Sequence, residues 1–272
     1  MPYADNDGVE LAYERAGAAE GDTVVFVEGL GYGRWMWGWQ REALAGAHDL
    51  LLWDNRGTGA SEEPEGPYTI SQMAGDLEAV LADAGVDAAH VVGASMGGMI
   101  AQQYALDYDR AVTVTLCCTT PGGEEALPVP AATRERMFDV PEGLDRRGTI
   151  RYKMKPAFTD EFWADHGDTI EDIVAARLET DASERAYAWQ SEAVDAFDVH
   201  DRLSAVDVPA LLMHGTRDRV VPVDNHELIA AELADVEVEL FDEGGSHLFF
   251  IERAGAVNDR LRAFLEDHGR GA

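Results

Sequence analysis

The chain has 272 residues, of which 46% are hydrophobic, and it carries 21 Lys and Arg against 52 Asp and Glu, a formal net charge of −31. That charge disfavours nucleic acid and anionic membrane surfaces as partners, because both are themselves negative. No apolar run approaches the roughly 18 residues of a membrane-spanning helix, and the first residues lack a secretory signal pattern. These features predict a globular protein with a large core, located in the cytoplasm.

The acidic residues are spread along the whole chain, and only two of the basic residues are lysines, Lys153 and Lys155. This pattern resembles the proteins of extreme halophiles, whose cytoplasm contains molar salt. At such salt the Debye length falls to about 3 Å, so the self-repulsion of a highly charged fold is screened. We therefore expect a protein that needs high salt, in a high-salt cytoplasm.

Short apolar runs alternate with helical patterns along the chain, which is typical of βαβ units and a mostly parallel sheet flanked by helices. The predicted strands are Val9–Arg15, Val24–Glu28, Leu50–Trp53, Val91–Gly93, Val112–Cys118, Ala210–His214 and Val236–Phe241. Predicted helices begin near Arg34 and at Ser95, and span Ser71–Ala84, Asn225–Leu233 and Ala254–Glu266.

The sheet pattern stops between about Pro121 and Ala205, where helical patterns replace it, and it resumes at Ala210. We predict a helical insertion, residues 121–205, within an α/β core formed by residues 1–120 and 206–272. An independent second domain is the alternative. Just before this segment, Cys117 and Cys118 are adjacent, and we expect them to be reduced thiols in the core. Consecutive cysteines rarely form a disulfide, and they lack the spacing of metal ligands.

Residues 93–97 read Gly-Ala-Ser-Met-Gly, a G-x-S-x-G pattern between a predicted strand and a predicted helix. In that context the pattern is typical of the nucleophile elbow, a sharp turn that exposes a serine hydroxyl above the sheet. The flanking Gly93 and Gly97 allow the strand and helix backbones to pass closely. Ser95 is therefore the predicted nucleophile.

A serine nucleophile needs a base and an acid that orients the base, and on open parallel sheets these follow the serine in the order acid, histidine. Asp218 follows the strand Ala210–His214 and is the predicted acid. His247 follows the last strand, after Gly244-Gly245-Ser246, and is the predicted base. His214 is the rival base, although a packing or hydrogen-bonding role is the better interpretation.

Oxyanion stabilisation requires two backbone N–H groups, which we assign to Met96 and Leu30. Leu30 lies in the glycine-rich loop after the strand Val24–Glu28, whose spacing does not match the dinucleotide-binding pattern G-x-G-x-x-G. A plain glycine-rich turn is the alternative interpretation of this loop.

Taken together, these motifs resemble the α/β-hydrolase superfamily, with D-x-R-G-x-G-x-S at residues 54–61 and H-G-T-R-D-R-V-V-P at 214–222 as further matches. The G-A-S-M-G-G stretch is similar to the esterase, enol-lactonase and cofactor-free perhydrolase group. The resemblance implies an α/β-hydrolase fold with a helical cap at 121–205, no metal or organic cofactor, and Ser95, Asp218 and His247 as catalytic residues. It leaves the oligomeric state open.

The expected reaction is hydrolysis of a small, largely apolar carboxylic ester or lactone through an acyl-enzyme on Ser95. Perhydrolase or haloperoxidase-like chemistry, C–C bond hydrolysis and acyl transfer use the same residues and stay open. The predicted substrate pocket is formed by one glycine and several large apolar residues: Gly29, Trp35, Trp37, Met99, Phe138, Phe158, Trp163 and Trp189.

One residue departs from the family pattern. Glu28 occupies the position where the family usually has a histidine that supports the oxyanion loop. A carboxylate there is expected to add negative charge near a site that must stabilise an anion. This departure keeps open a different class of function, a non-catalytic ligand-binding protein with the α/β-hydrolase fold.

Overall fold

The computed structural model describes residues 1–242 and 245–269. In the described part of the chain, eight strands form one sheet. They are β1 (Tyr3–Asn6), β2 (Val9–Gly17), β3 (Thr23–Val27), β4 (Asp49–Trp53), β5 (Ala89–Ala94), β6 (Ala111–Cys117), β7 (Ala210–Gly215) and β8 (Val236–Phe241).

The strand order in the sheet is β1-β2-β4-β3-β5-β6-β7-β8. β1 pairs with β2 and β2 with β4 in antiparallel fashion, whereas every pair from β4 to β8 is parallel. The mostly parallel sheet predicted from the sequence is therefore confirmed. Because parallel strands place their carboxyl ends at one edge, the loops after β3, β5 and β7 meet there.

The described helices are α1 (Gly38–Leu44), α2 (Ile70–Asp83), α3 (Met96–Asp107), α4 (Ala131–Phe138), α5 (Arg146–Met154), α6 (Asp160–Asp165), α7 (Gly167–Thr180), α8 (Glu184–Asp195), α9 (Asn225–Glu232), α10 (Phe249–Glu252) and α11 (Ala254–Asp267). Three 3-10 turns lie at Arg34–Trp37, Lys155–Ala157 and His200–Ala205. None of these described helices combines the length and the apolar content that spanning a membrane would require.

Hydrophobic clusters cover both faces of the sheet, as expected when helices flank parallel strands. Alternate residues of β3 divide between them: Val25 and Val27 belong to the cluster with α2 and α3, and Val24 and Phe26 to the cluster with α11. The sheet strands are almost wholly buried from β3 to β7, which explains why their continuous apolar runs were readable in the sequence.

The segment 121–205 leaves the sheet after β6 and returns before β7. Its two ends meet, since Val199 N–H donates to the Pro121 carbonyl at 3.0 Å and Gly122 bridges to Asp198. Between these ends lie α4 to α8. The segment is hereafter called the cap segment, and the rest of the described chain is called the core.

Candidate active site

Ser95 lies in the turn between β5 and α3, with φ 55° and ψ −118°, a positive φ that residues with a Cβ rarely adopt. Close packing imposes this turn. A Cβ added at Gly93 would lie 2.1 Å from the Gly97 carbonyl oxygen, and one added at Gly97 would lie 2.1 Å from the Val27 carbonyl oxygen. Glycine is therefore required at both positions. The turn has the geometry of a nucleophile elbow.

The loop after β3 lies beside this serine. A Cβ added at Gly29 would be 3.6 Å from the Ser95 Cβ, an ordinary contact distance. The loop turns at Gly31, whose φ is 75°, and the Gly31 N–H donates to Gln190 Oε1 at 2.8 Å. A residue of the cap segment therefore holds the loop in place.

Two backbone donors near Ser95 are unused. Within the described residues, neither the Leu30 N–H nor the Met96 N–H has a hydrogen-bond acceptor. Met96 is the first residue of α3, where the aligned peptide dipoles of a helix favour a negative charge. These are the two donors that the sequence analysis selected for an oxyanion.

Asp218 lies in the loop after β7 with its side chain fully buried. Its Oδ2 is 2.8 Å from His247 Nδ1, and its Oδ1 accepts hydrogen bonds from the N–H groups of Val220 at 2.7 Å and Val221 at 2.9 Å. Burial by itself would raise the pKa of Asp218. The His247 charge and the histidine hydrogen bonds outweigh it and lower this pKa to about 2. The group is therefore an anion at neutral pH.

His214, the rival base, takes a different position. Its Nε2 lies 3.2 Å from Asp218 Oδ2 and 3.1 Å from the Val221 carbonyl oxygen, and its side chain is buried. A hydrogen on Nε2 can serve both acceptors, which orients the carboxylate toward His247. The interpretation of His214 as a hydrogen-bonding residue rather than the base agrees with this geometry.

A cavity of about 100 Å³ lies at Ser95. Its core side, which we call the floor, includes Gly29, Leu30, Ser95, Cys118 and His247. Its cap side, which we call the roof, includes Met137, Lys153, Met154, Arg177 and Tyr187. The structure thus brings the candidate nucleophile, the candidate base and the oxyanion loop to one small, mainly apolar space.

Of the predicted pocket residues, Gly29 lines this cavity, and the large apolar side chains lie outside its described lining. The residues outside the lining are Trp35, Trp37, Met99, Phe138, Phe158, Trp163 and Trp189, of which Phe138 lines a more open groove next to the cavity. Most of these side chains pack elsewhere, because large aromatic rings contribute most to folding stability when they are buried among other apolar groups.

Individual positions show where these rings pack instead. Trp37 lies between Phe26 and Phe250, with ring centroids 5.1 Å and 5.0 Å away. Phe158 is fully buried and contacts Trp163 at 6.1 Å. Met99 is buried in the hydrophobic cluster with α2, Trp189 packs on Tyr68, Trp35 packs on Tyr32, and Phe138 is 55% exposed.

Glu28 is fully buried at the end of β3, and within the described residues both of its carboxyl oxygens lack a hydrogen-bond partner. Burial, with the negative charge of Asp54 in addition, holds the pKa of Glu28 well above its ordinary value. Burial therefore disfavours the charged form of Glu28, which opposes the negative charge that the sequence analysis expected beside the oxyanion loop.

Two polar residues that the sequence analysis did not select hold the site together. Gln190 on α8 is fully buried, and besides accepting from Gly31 it donates from Nε2 to the Arg56 carbonyl at 2.8 Å. Glu252 accepts from Thr159 N–H at 2.6 Å and from Ser246 N–H at 2.9 Å, next to His247. Single Gln and Glu residues in helical patterns carry no sequence signal for such contacts.

The described residues contain one cluster whose spacing would suit a metal ion, formed by Cys118, Asp218 and His247 with ligand atoms within 4.8 Å of one another. Asp218 and His247 already share a hydrogen bond. Burial raises the pKa of the Cys118 thiol well above its ordinary value, which opposes the thiolate that a metal needs.

Gly244, named in the loop before His247, lies outside the described residues, as do Glu243 and residues 270–272.

Comparison with known proteins places the chain in a family. The family model for the alpha/beta hydrolase fold matches residues 22–254. The putative carbamate hydrolase RutD of Azorhizobium caulinodans is 30% identical over 267 residues, which cover 97% of this chain and 98% of that protein. The 3-oxoadipate enol-lactonase 2 of Acinetobacter baylyi is 25% identical over 261 residues, covering 95% and 94%.

Among solved structures, the enol-lactonase from Burkholderia xenovorans LB400 has a TM-score of 0.85 and 29% identity, covering 97% of this chain and 100% of that one. The chain therefore belongs to the α/β-hydrolase fold family. The named activities of these similar proteins support a hydrolase.

Proposed function

We propose that the protein is a serine hydrolase that cleaves a small carboxylic ester or lactone, with a largely apolar acyl part, through an acyl-enzyme on Ser95. The observation that carries this proposal is that Ser95 sits in an elbow turn and shares one cavity with His247, whose Nδ1 is bonded to the buried Asp218 carboxylate. The similarity to proteins named as enol-lactonases agrees with it.

In the proposed mechanism, His247 takes the Ser95 proton through its Nε2 while Ser95 Oγ attacks the carbonyl carbon. The N–H groups of Leu30 and Met96 donate to the resulting oxyanion. Asp218 accepts from His247 Nδ1 and stabilises the imidazolium. His247 then protonates the leaving alcohol and activates the water that releases the acid.

A carbamate is a second candidate substrate class, because the putative carbamate hydrolase is similar over nearly the whole chain and its carbonyl would undergo the same attack. Peracid formation, C–C bond hydrolysis and acyl transfer also use this chemistry. They differ in the leaving group and in the nucleophile that removes the acyl group from Ser95.

We also propose that the cap segment, residues 121–205, acts as a lid domain on the core of residues 1–120 and 206–272. Its residues form the roof of the cavity, and its Gln190 bonds the oxyanion loop. A roof made by a separate segment would exclude water from the reacting carbonyl, which strengthens electrostatic stabilisation there.

Labelling with a fluorophosphonate probe tests the proposal directly, because only an activated serine reacts with it. We expect the wild-type protein to be labelled, and Ser95→Ala to lose both labelling and hydrolysis of p-nitrophenyl butyrate, by about a thousandfold or more. Ser191→Ala, at a half-buried residue of α8 whose hydroxyl has no hydrogen-bond partner within the described residues, is the control that keeps both. An unlabelled wild-type protein would support the non-catalytic ligand-binding alternative instead.

A net charge of −31 supports the proposal that the protein works in a high-salt cytoplasm. The acidic surface repels itself in dilute buffer, and about 2 to 3 M KCl screens that repulsion. We expect the thermal midpoint and the far-UV circular dichroism signal to increase with KCl. Equal values in dilute buffer and in molar KCl would contradict this salt requirement.

A further inference from the structure

The cavity lining is unusual in its charge. Two cationic residues of the roof, Lys153 on α5 and Arg177 on α7, line the cavity, and no Asp or Glu belongs to its described lining. In the whole chain, by contrast, 52 acidic residues face 21 Lys and Arg. The only cavity that contains Ser95 among those described is thus positive in a strongly negative protein.

Lys153 is the less compensated of the two cations. It is half-buried, and within the described residues no carboxylate lies within ion-pair distance of its Nζ. Its Nζ lies 5.6 Å from the centre of the Tyr187 ring, a contact worth about 0.5 to 1 kcal/mol. Burial and the nearby Arg177 lower the pKa of Lys153, so the charged form of this lysine is less stable than that of an exposed lysine.

Arg177 is buried and is held in place on two sides. Its Nε, at 2.8 Å, and a terminal nitrogen, at 2.7 Å, both contact Asp181 Oδ2, and its guanidinium lies 4.3 Å from the Tyr32 ring centre. Asp181 is thus paired with Arg177, and the carboxylate of Glu184 acts on Lys153 from beyond ion-pair distance. Because partly buried charges are normally paired, the position beside Lys153 suits a second anion.

The same residues also connect the cavity to the outside. Lys153, Arg177 and Tyr187 line both the Ser95 cavity and a more open groove next to it. A ligand entering from the groove would pass these cations before it reaches Ser95. The groove is also lined by the carboxylates of Glu63, Asp181 and Glu184, whereas the cavity is not, so an anion is attracted at the cavity end, where Lys153 and Arg177 lie.

We propose that the substrate carries a carboxylate, which Lys153 and Arg177 bind at the roof while the carbonyl to be cleaved lies at Ser95. This inference rests on the proposed function and narrows its substrate class to short esters or lactones of a dicarboxylic acid. The apolar residues between the two ends, such as Met137 and Met154, contact the connecting carbons.

The test compares two esters with equal acyl chains, monoethyl glutarate and ethyl pentanoate, by pH-stat in molar KCl. We expect the wild type to show the lower KM for monoethyl glutarate. Lys153→Met should lower the ratio of kcat/KM between the charged and the neutral ester about tenfold, a loss of about 1.4 kcal/mol. Lys153→Arg, which keeps the charge, should restore most of that ratio.

Lys155→Met is the matched control. Lys155, the other lysine of the chain, lies outside the described cavity lining and is 3.7 Å from Asp160, so both esters should be cleaved as by the wild type. Hydrolysis of both esters with a lower KM for ethyl pentanoate, or a ratio unchanged in Lys153→Met, would overturn the carboxylate proposal alone. Failure to cleave either ester, together with absent fluorophosphonate labelling, would instead refute the proposed function.

Discussion

The floor and the roof of the cavity differ in what holds their functional groups. On the floor, Ser95 is fixed by a glycine-flanked turn, and Asp218 is fixed by two backbone N–H groups and two histidines. On the roof, Lys153 is a long, half-exposed side chain on a helix. Ser95 and Asp218, which would react, are thus held largely by backbone geometry. Lys153, which would select a substrate, is held by side-chain packing.

The largest effect is expected on the floor. Asp218→Asn removes the anion that stabilises the His247 cation and favours the wrong tautomer, so kcat for p-nitrophenyl butyrate should fall about 10⁴-fold. The exposed Asp224, in a loop near α9, provides the control Asp224→Asn, which should keep full activity. A fall of less than about tenfold in Asp218→Asn would show that His247 is not oriented by this carboxylate.

A smaller effect is expected where the roof meets the floor. In Gly31→Ala the new Cβ would lie 2.7 Å from the Tyr187 ring at a φ of 75°, so the oxyanion loop or α8 must shift. We expect kcat to fall by about tenfold to a hundredfold, less than the roughly hundred- to thousandfold loss of a whole oxyanion donor.

Gly46→Ala is the control for that substitution, because a Cβ at Gly46 meets no atom within 4 Å. Steady-state kinetics of both variants would separate loop geometry from a general loss of glycine flexibility. Equal kcat values for Gly31→Ala and the wild type would show that the roof does not set the oxyanion loop.

The smallest effect is expected for a substitution of Glu28, and it concerns the stability of the protein rather than its activity. Burial raises the pKa of Glu28 in the folded protein above its ordinary value. The contribution of Glu28 to the free energy of unfolding is therefore greatest below the ordinary carboxyl pKa, and it is lost as the pH rises toward the folded-state pKa. Glu28→Gln removes this titration. The thermal midpoint of the variant should therefore exceed that of the wild type at about pH 8, with a smaller difference at about pH 5.

Glu142→Gln, at an exposed position of the cap segment, is the control for the Glu28 experiment and should show no such pH dependence. Scanning calorimetry or circular dichroism melting at constant molar KCl provides the measurement. A Glu28→Gln variant that is less stable than the wild type at both pH values would contradict an unpartnered Glu28 whose pKa is raised by burial.

Elements with a clear hydrophobic pattern, alternating in a strand or on one face of a helix, were predicted well. The strand Val236–Phe241 has the predicted bounds, and the predicted helix Ala254–Glu266 ends one residue later, at Asp267. The strand Tyr3–Asn6 was missed because it is short and half polar, and it pairs only with its neighbour β2. The short helix Phe249–Glu252 was missed because a single turn has no periodicity to detect.

Local sequence was sufficient for the floor, because the functional groups there depend on short-range backbone rules. A serine between two glycines after a strand, and an acid and a histidine after later strands, must meet at one edge when the strands are parallel. The roof was not readable in this way. Its aromatic residues Phe158 and Trp163 were expected in the pocket, but both lie outside the cavity lining, and the cations Lys153 and Arg177 line the cavity instead.

Which side of α5 and α7 faces the cavity depends on how these helices pack on each other and on the core, and those contacts join residues far apart in the chain. The same applies to Gln190, which bonds Gly31 from a helix about 160 residues later, and to Glu28, whose pKa is raised by complete burial. Motif spacing is a local property that the amino-acid order carries directly. Burial, helix rotation and the pairing of charges exist only after the chain has folded, so the tertiary structure alone decided them.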